Sequence, residues 1–219
     1  MLRKLIFWSI TGIAIFLVIL ILLLQTPFLQ NYLANEVLSL INANTRQTAK
    51  FTNIKIKWFD FVEIKGLEVK DYQDNVMISA STIQVDYQLD HLLVEGDLWF
   101  DQIYLRDGAL HMKKYEDTLN LNLIEFINDL RALAPKKQDT VSKASAPKLS
   151  LGKIRLDQFQ FSYDNRLNDS LPQGKFDYGH FLLEIPGATF ADFTIIRDTI
   201  QAEIRSLAAR DPATGLTVE

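Results

Sequence analysis

The sequence predicts a mainly β protein behind an N-terminal transmembrane helix: a curled, elongated antiparallel sheet, an open trough, with amphipathic capping helices. Three observations carry that expectation. An uncharged apolar run opens at Leu5 and closes at Leu24. From Phe51 the apolar residues recur at every second position, the period of a half-buried strand rather than of a helix. In three segments this alternation slips by one residue partway along. A β-bulge would correct such a slip and bend the strand.

Only Ser9, Thr11 and Gly12 interrupt the run at 5–24. At ~1.5 Å per residue, ~20 helical residues span the ~30 Å hydrocarbon core. A buried core helix of that length would be expected to show a polar face. A cleaved signal peptide would have an apolar region of ~7–15 residues and then small residues at a cleavage site. Leu24-Gln25-Thr26-Pro27-Phe28 offers no such site, so the anchor is expected to be retained. Arg3 and Lys4 flank its N-terminal end, and residues 25–43 contain no Lys or Arg. The positive-inside rule then leaves a cytoplasmic N-terminus and the body outside, in a single pass. Trp8 suits the membrane interface.

A second helix is expected over 26–45. Thr26 can cap it and Pro27 can occupy its first turn. Phe28, Leu29, Tyr32, Leu33, Val37, Leu40 and Ile41 recur at spacings of three and four, with Gln30, Asn31, Asn35, Glu36 and Ser39 opposite. Such a helix can lie at the membrane surface or cover the edge of the following sheet. Its polar face lacks the Lys and Arg of surface-binding helices, which favours the edge.

A β-rich domain with short helices is expected over 46–133. Ile54, Ile56 and Trp58 alternate with Lys55 and Lys57, and Ile83, Val85, Tyr87 and Leu89 form a second series. These read as antiparallel strands with one solvated face. The slips follow Val62 and Ile64 at Gly66, Ile103 and Leu105 at Asp107-Gly108, and Ile154 and Leu156 before Phe159, Phe161 and Tyr163. Asp107-Gly108 can also serve as a two-residue hairpin turn. Three instances of one rhythm favour long bent strands. Residues 89–96 read as a brief helical turn ended by Gly96. Asn120 can cap a helix over 121–133 whose stripe includes Leu123, Phe126 and Leu130. Residues 134–148 carry no periodic apolar side chains and read as a flexible insertion. Strand patterns return over 149–219 as a continuation of the same domain.

The net charge is −4. Residues 1–50 hold four basic side chains and one acid, so the rest of the chain is more acidic still, at −7. An acidic body without a basic stripe argues against nucleic acid as partner. The chain has no cysteine, which removes disulfides, thiolate metal sites and cysteine nucleophiles. His91, His111 and His180 share no ligand spacing. Of the acids Asp71, Asp74, Asp157, Asp164 and Asp169, most fall at turns or strand ends, where Asp bonds its own backbone. The stretch at 164–169 suggests a calcium loop, but it lacks the glycine and Lys175 stands where the bidentate Glu belongs. Asn168-Asp169-Ser170 matches a glycosylation acceptor. No phosphate-binding or catalytic motif is present. We therefore expect no enzyme, no catalytic residue, no metal and no cofactor.

The order of segments resembles a known family. Thr26-Pro27-Phe28-Leu29-Gln30 opens the helix after the anchor. Phe51-Thr52-Asn53-Ile54-Lys55-Ile56, Gly66-Leu67-Glu68-Val69-Lys70-Asp71 and Ile78-Ser79-Ala80-Ser81-Thr82-Ile83-Gln84-Val85 follow. Phe176-Asp177-Tyr178-Gly179-His180-Phe181 and Leu207-Ala208-Ala209-Arg210-Asp211-Pro212-Ala213-Thr214-Gly215-Leu216 come later. This resembles the N-terminal region of the TamB-like translocation and assembly module proteins, within the AsmA-like superfamily, in their Bacteroidetes-type form. The resemblance implies a Gram-negative inner-membrane anchor and a periplasmic β-groove that moves phospholipid or aids outer-membrane protein assembly. It also implies a BamA/TamA-type outer-membrane barrel as partner, reached through a C-terminal part missing here. Family members are far longer, and this chain stops at Thr217-Val218-Glu219, so a fragment is expected.

The expected mechanism is physical. An apolar lining of Ile54, Ile56, Ile83, Val85, Tyr87, Ile103, Leu105, Phe159 and Phe161 would hold acyl chains, with headgroups at the open seam. The same side chains could instead fill a closed core. Two other functions compete: an assembly scaffold that recruits a partner through strand edges without lipid cargo, and an envelope enzyme built on a cluster of His and carboxylates.

Overall fold

The computed structural model describes residues 22–58, 60–94, 98–133, 149–169, 171, 175–196 and 199–218, with positions 8, 11, 12, 15, 16 and 19 before them. The expected insertion at 134–148 and Gly96 lie outside the described residues, as does most of the expected anchor. Ile15, Phe16, Ile19, Leu22 and Leu23 of that run are helical with exposed side chains. Among the described residues no helix is long and apolar enough to cross a membrane.

Helix α1 spans Pro27–Asn44. Thr26 occupies the cap position, but its hydroxyl donates backward to Leu23 O at 2.6 Å rather than into the helix. Proline at the first turn costs nothing there, because that N–H has no intrahelical partner. Among the described residues nine strands follow in one sheet: β1 Thr48–Lys50, β2 Asn53–Lys57, β3 Phe61–Lys70, β4 Val76–Tyr87, β5 Leu98–Lys114, β6 Leu149–Asn165, β7 His180–Ile196, β8 Thr199–Arg210 and β9 Thr217–Val218. Helix α2, Leu89–Val94, joins β4 to β5, and α3, Asn122–Leu133, follows β5.

The spatial order is β1-β3-β4-β5-β6-β7-β8-β9, with β2 beside β1 on the same edge of β3. The sheet is mixed rather than antiparallel throughout. β5 and β6 run parallel, from Leu98↔Leu149 to Lys114↔Asn165. The sequence between them allows this: a parallel return needs a crossover of a dozen residues or more, usually helical, and α3 lies in that connection. The expected curled trough is also corrected. β1 and β9 lie at opposite ends of the strand order without pairing, and the sheet is open and uncurled.

The three slips are real and they line up. Gly66, Asp107 and Gln158 have φ of 62°, 45° and 52°. The register of their neighbours places them on one line through Ser81 and Pro186: Leu67↔Ala80, Ala80↔Gly108, Gly108↔Phe159, Phe159↔Ile185. A left-handed residue at that line turns the chain so that the apolar parity can change while one face stays apolar. Leu156 before the line and Phe159 and Phe161 after it accordingly pack in one cluster. Asp107-Gly108 is therefore the interior of β5, not a hairpin turn. Gly66 is required doubly, by its φ and because a Cβ would meet Thr52 Oγ1 at 2.3 Å.

Two apolar clusters hold the layer together. One centres on Phe159, Ile185, Ala188 and Ala209, and every side chain packed against it comes from a strand. The other centres on Ala49, Val69 and Met77 at the opposite corner, where Leu38 of α1 and Leu123 and Phe126 of α3 cover it. An ion pair joins those two helices across the corner. Arg46 just past α1 meets Glu125 and, at 3.1 Å, Asp129 of α3.

Candidate functional face

Register turns the strand pattern into a surface. Ile54, Ile64, Ile83, Leu105, Leu156, Ala188 and Leu207 are successive cross-strand partners from β2 to β8. Two residues along β2 to β7, and three along β8 where its pairing with β7 shifts register, Ile56, Val62, Val85, Ile103, Ile154, Phe190 and Ile204 form a second row. No polar residue interrupts either row. At ~4.8 Å per strand, each row runs about 30 Å in the hydrogen-bonding direction. Contiguous apolar surface of this extent is the kind of surface that binding faces present.

Six of the nine expected lining residues fall in these two rows: Ile54, Ile83 and Leu105 in the first, Ile56, Val85 and Ile103 in the second. Tyr87 lies in a flanking row with Phe100, Leu151 and Phe193. Phe159 and Phe161 stand beyond the left-handed line, in rows with Gly108 and Ile185, and with Leu110 and Leu183. All nine are half-buried except Phe159, which is 8% exposed. Gly108 is why: a Cβ there would meet the Phe159 ring at 3.0 Å. Sequence reasoning passed over Ile64, Val62, Leu156, Ile154 and the β7–β8 members. The signal was present as alternation, but only pairing reveals that these residues continue one row.

The opposite face is polar in the same register. Lys55, Glu63, Gln84, Tyr104 and Arg155 are successive partners. Tyr104 donates to Asp157 Oδ2 at 2.9 Å, Arg106 Nε donates to the Tyr104 hydroxyl at 2.8 Å, and the Arg155 guanidinium lies 5.5 Å from the ring centre. One face of the sheet is thus wetted and cross-linked by charge, and the other is greasy.

The covered corner is fixed by a buried carboxylate. Asp71, 3% exposed, follows β3. Its Oδ2 accepts from the Tyr115 hydroxyl at 2.6 Å and from Asn122 Nδ2 at 3.1 Å, and its Oδ1 from the N–H groups of Gln73 and Asn75 at 3.0 Å. Burial alone would raise its pKa, but these hydrogen bonds outweigh it and hold the carboxyl below the ordinary value. Burial and then the Asp71 carboxylate raise the Tyr115 hydroxyl. Asn122 is saturated, since it also donates to His111 O and accepts from the N–H groups of Lys113 and Leu123. This node seats the start of α3 and so aims Leu123 and Phe126 at the corner.

The histidines do not converge. His111 is lowered by burial and then by Lys113, and its Nδ1 lies 2.7 Å from Ser162 Oγ. His180 stands between Asp164 and Asp177, at 3.7 and 3.2 Å. His91 stacks on Trp99. Among the described residues no group of three or more His, Asp or Glu side chains could hold a metal ion. No family model matches the chain, and a search of curated proteins gives no match.

Proposed function

We propose that this protein is anchored in the inner membrane through residues 5–24 and carries phospholipid along its apolar sheet face, outside that membrane and toward the outer membrane. One observation carries the reading: two uninterrupted apolar rows cross seven strands on a single-layer sheet whose other face is charged. Acyl chains laid on those rows would leave water at about 25 cal/mol per Å² of apolar area removed. Headgroups would stay at the open border. The BamA/TamA-type barrel as partner belongs to this proposal and follows from the TamB-like resemblance.

Photo-crosslinking in native membranes tests it. A benzophenone side chain at Ile83 or Leu105 is expected to give phospholipid adducts, and one at Gln84 or Tyr104 on the polar face is not. Adducts with protein alone at the apolar positions would instead favour an assembly scaffold. A specific feature supports that second reading. β9 pairs only with Ala209 and Arg210, and residues 201–206 of β8 are exposed, so most of this strand offers an edge to a foreign strand.

A further inference from the structure

Helix α1 turns Gln30, Asn31 and Asn42 toward the sheet beside Leu38, and leaves most of its larger apolar side chains outward. Gln30, 4% exposed, accepts from the Ile56 N–H at 2.8 Å and donates to the Ile56 carbonyl at 2.9 Å, as a paired strand residue would. Asn31 accepts from the Ile54 N–H at 3.0 Å. Asn42 accepts from the Ala49 N–H at 2.7 Å and donates to its carbonyl at 2.9 Å. Three amides thus take the edge positions of β1 and β2. The other side of the helix carries Phe28, Tyr32, Leu33, Val37 and Leu40, with Phe28 82%, Val37 57% and Leu40 62% exposed.

We infer that this outer face of α1 lies in the headgroup–acyl boundary of the bilayer that holds the anchor, so that the helix seats the sheet edge on the membrane. The inference rests on the anchor reading above. Three features select lipid as the occupant. α1 begins at Pro27, only Gln25 and Thr26 away from the apolar run that closes at Leu24, so its face starts where that run would leave the hydrocarbon. The helix carries no Lys or Arg, and Glu36, its one acid, is exposed on this same side between Tyr32 and Leu40, so the face sits at the depth where that single carboxylate reaches the headgroups. The anchor supplies the attachment that free interfacial helices obtain from basic residues, because tethering makes the second contact intramolecular. The helix side facing the sheet is already saturated by the amide bonds. The result is an ordered stack of bilayer, α1, sheet edge and apolar rows, with Ile54 and Ile56 as the first row members behind the helix.

The absence of cysteine allows a direct test on the full chain in phosphatidylethanolamine–phosphatidylglycerol vesicles. Single cysteines at Leu33, Val37 and Leu40 would carry an environment-sensitive fluorophore, with Ile15→Cys reporting on the anchor and Lys55→Cys on the polar face. Doxyl-labelled lipids provide shallow and deep quenchers. A shallow quencher is expected to reduce emission at Leu33, Val37 and Leu40 about two-fold or more relative to Lys55→Cys, the interfacial depth of such helices being ~5–10 Å. A deep quencher acts at Ile15→Cys. Lipid quenching at the three α1 positions supports the inference whatever the anchor position reports. Emission at those positions that is water-like, or dry but unquenched by lipid, overturns it. In that case quenching at Ile15→Cys leaves the anchor standing, and its absence removes the anchor as well.

Discussion

Gln158 is exposed and adopts a left-handed φ of 52°, a conformation that costs a residue with a Cβ about 1–2 kcal/mol. Gln158→Gly is expected to stabilise the fold by about 0.5–1 kcal/mol, once glycine's extra unfolded-state entropy is subtracted. Chemical denaturation at constant slope reads this, and a loss of stability would mean that the left-handed line is not strained. Asp71 behaves in the opposite sense. Asp71→Asn keeps the shape but loses the charge that draws four donors, and should cost about 1–3 kcal/mol. The sign with pH follows from the lowered pKa. The stability Asp71 contributes is fully present above the ordinary carboxylate value of ~3.9 and is lost as pH falls from there through its folded value. Unfolding free energies measured across that window should fall for the natural protein and fall less steeply for Asp71→Asn.

At the scale of elements, α1 is an edge cap before it is a helix of the core. Gln30→Ala strands the N–H and carbonyl of Ile56 and should cost about 1–3 kcal/mol. It should also expose β2 as a pairing edge, seen as concentration-dependent association in light scattering. The Arg46 pair with Glu125 and Asp129 is exposed on the arginine side, so Arg46→Ala should cost no more than about 1 kcal/mol, and less in high salt. Much of this level was legible in the sequence. Alternation located the strands, the Val62–Ile64 and Leu67–Val69 parity change marked Gly66, and α1 was expected at a sheet edge. What was not legible was orientation. The stripe of Phe28, Tyr32, Leu33, Val37 and Leu40 reads from spacing as a buried face, yet it points outward, because Gln30, Asn31 and Asn42 satisfy backbone groups that apolar side chains could not. The parallel pairing of β5 and β6 was hidden as well. Nothing local to 98–114 or 149–165 encodes which way a strand returns after a helical crossover.

For the whole molecule the relevant quantity is continuity. Apart from buried Ala188 and exposed Ile204, each row member is an ordinary half-buried strand residue, and the row exists only because the registers of six strand pairs agree. Alternation alone could name Ile83 and Leu105 but not connect them to Ala188 and Leu207, which lie a hundred residues further on. Continuity makes a prediction of its own. Leu105→Glu places a charge mid-row, where acyl chains would otherwise pass at an apolar contact, and an unpaired carboxylate against hydrocarbon costs several kcal/mol. Lipid crosslinking through Leu207 should then fall while crosslinking through Ile54, nearer the anchor, persists. An equal fall at both positions would show that lipid reaches the face from the side and does not travel along it.

The amide cap has a further consequence for self-association. Fibre-like stacking of copies needs two different free borders, so that the leading border of one molecule meets the trailing border of the next. With Gln30, Asn31 and Asn42 seated on β1 and β2, one of those borders is closed. Among the described residues the β8–β9 border stays open, and two copies meeting through it would be related by a two-fold axis. Association through that border would close on a finite pair instead of growing into an endless ribbon.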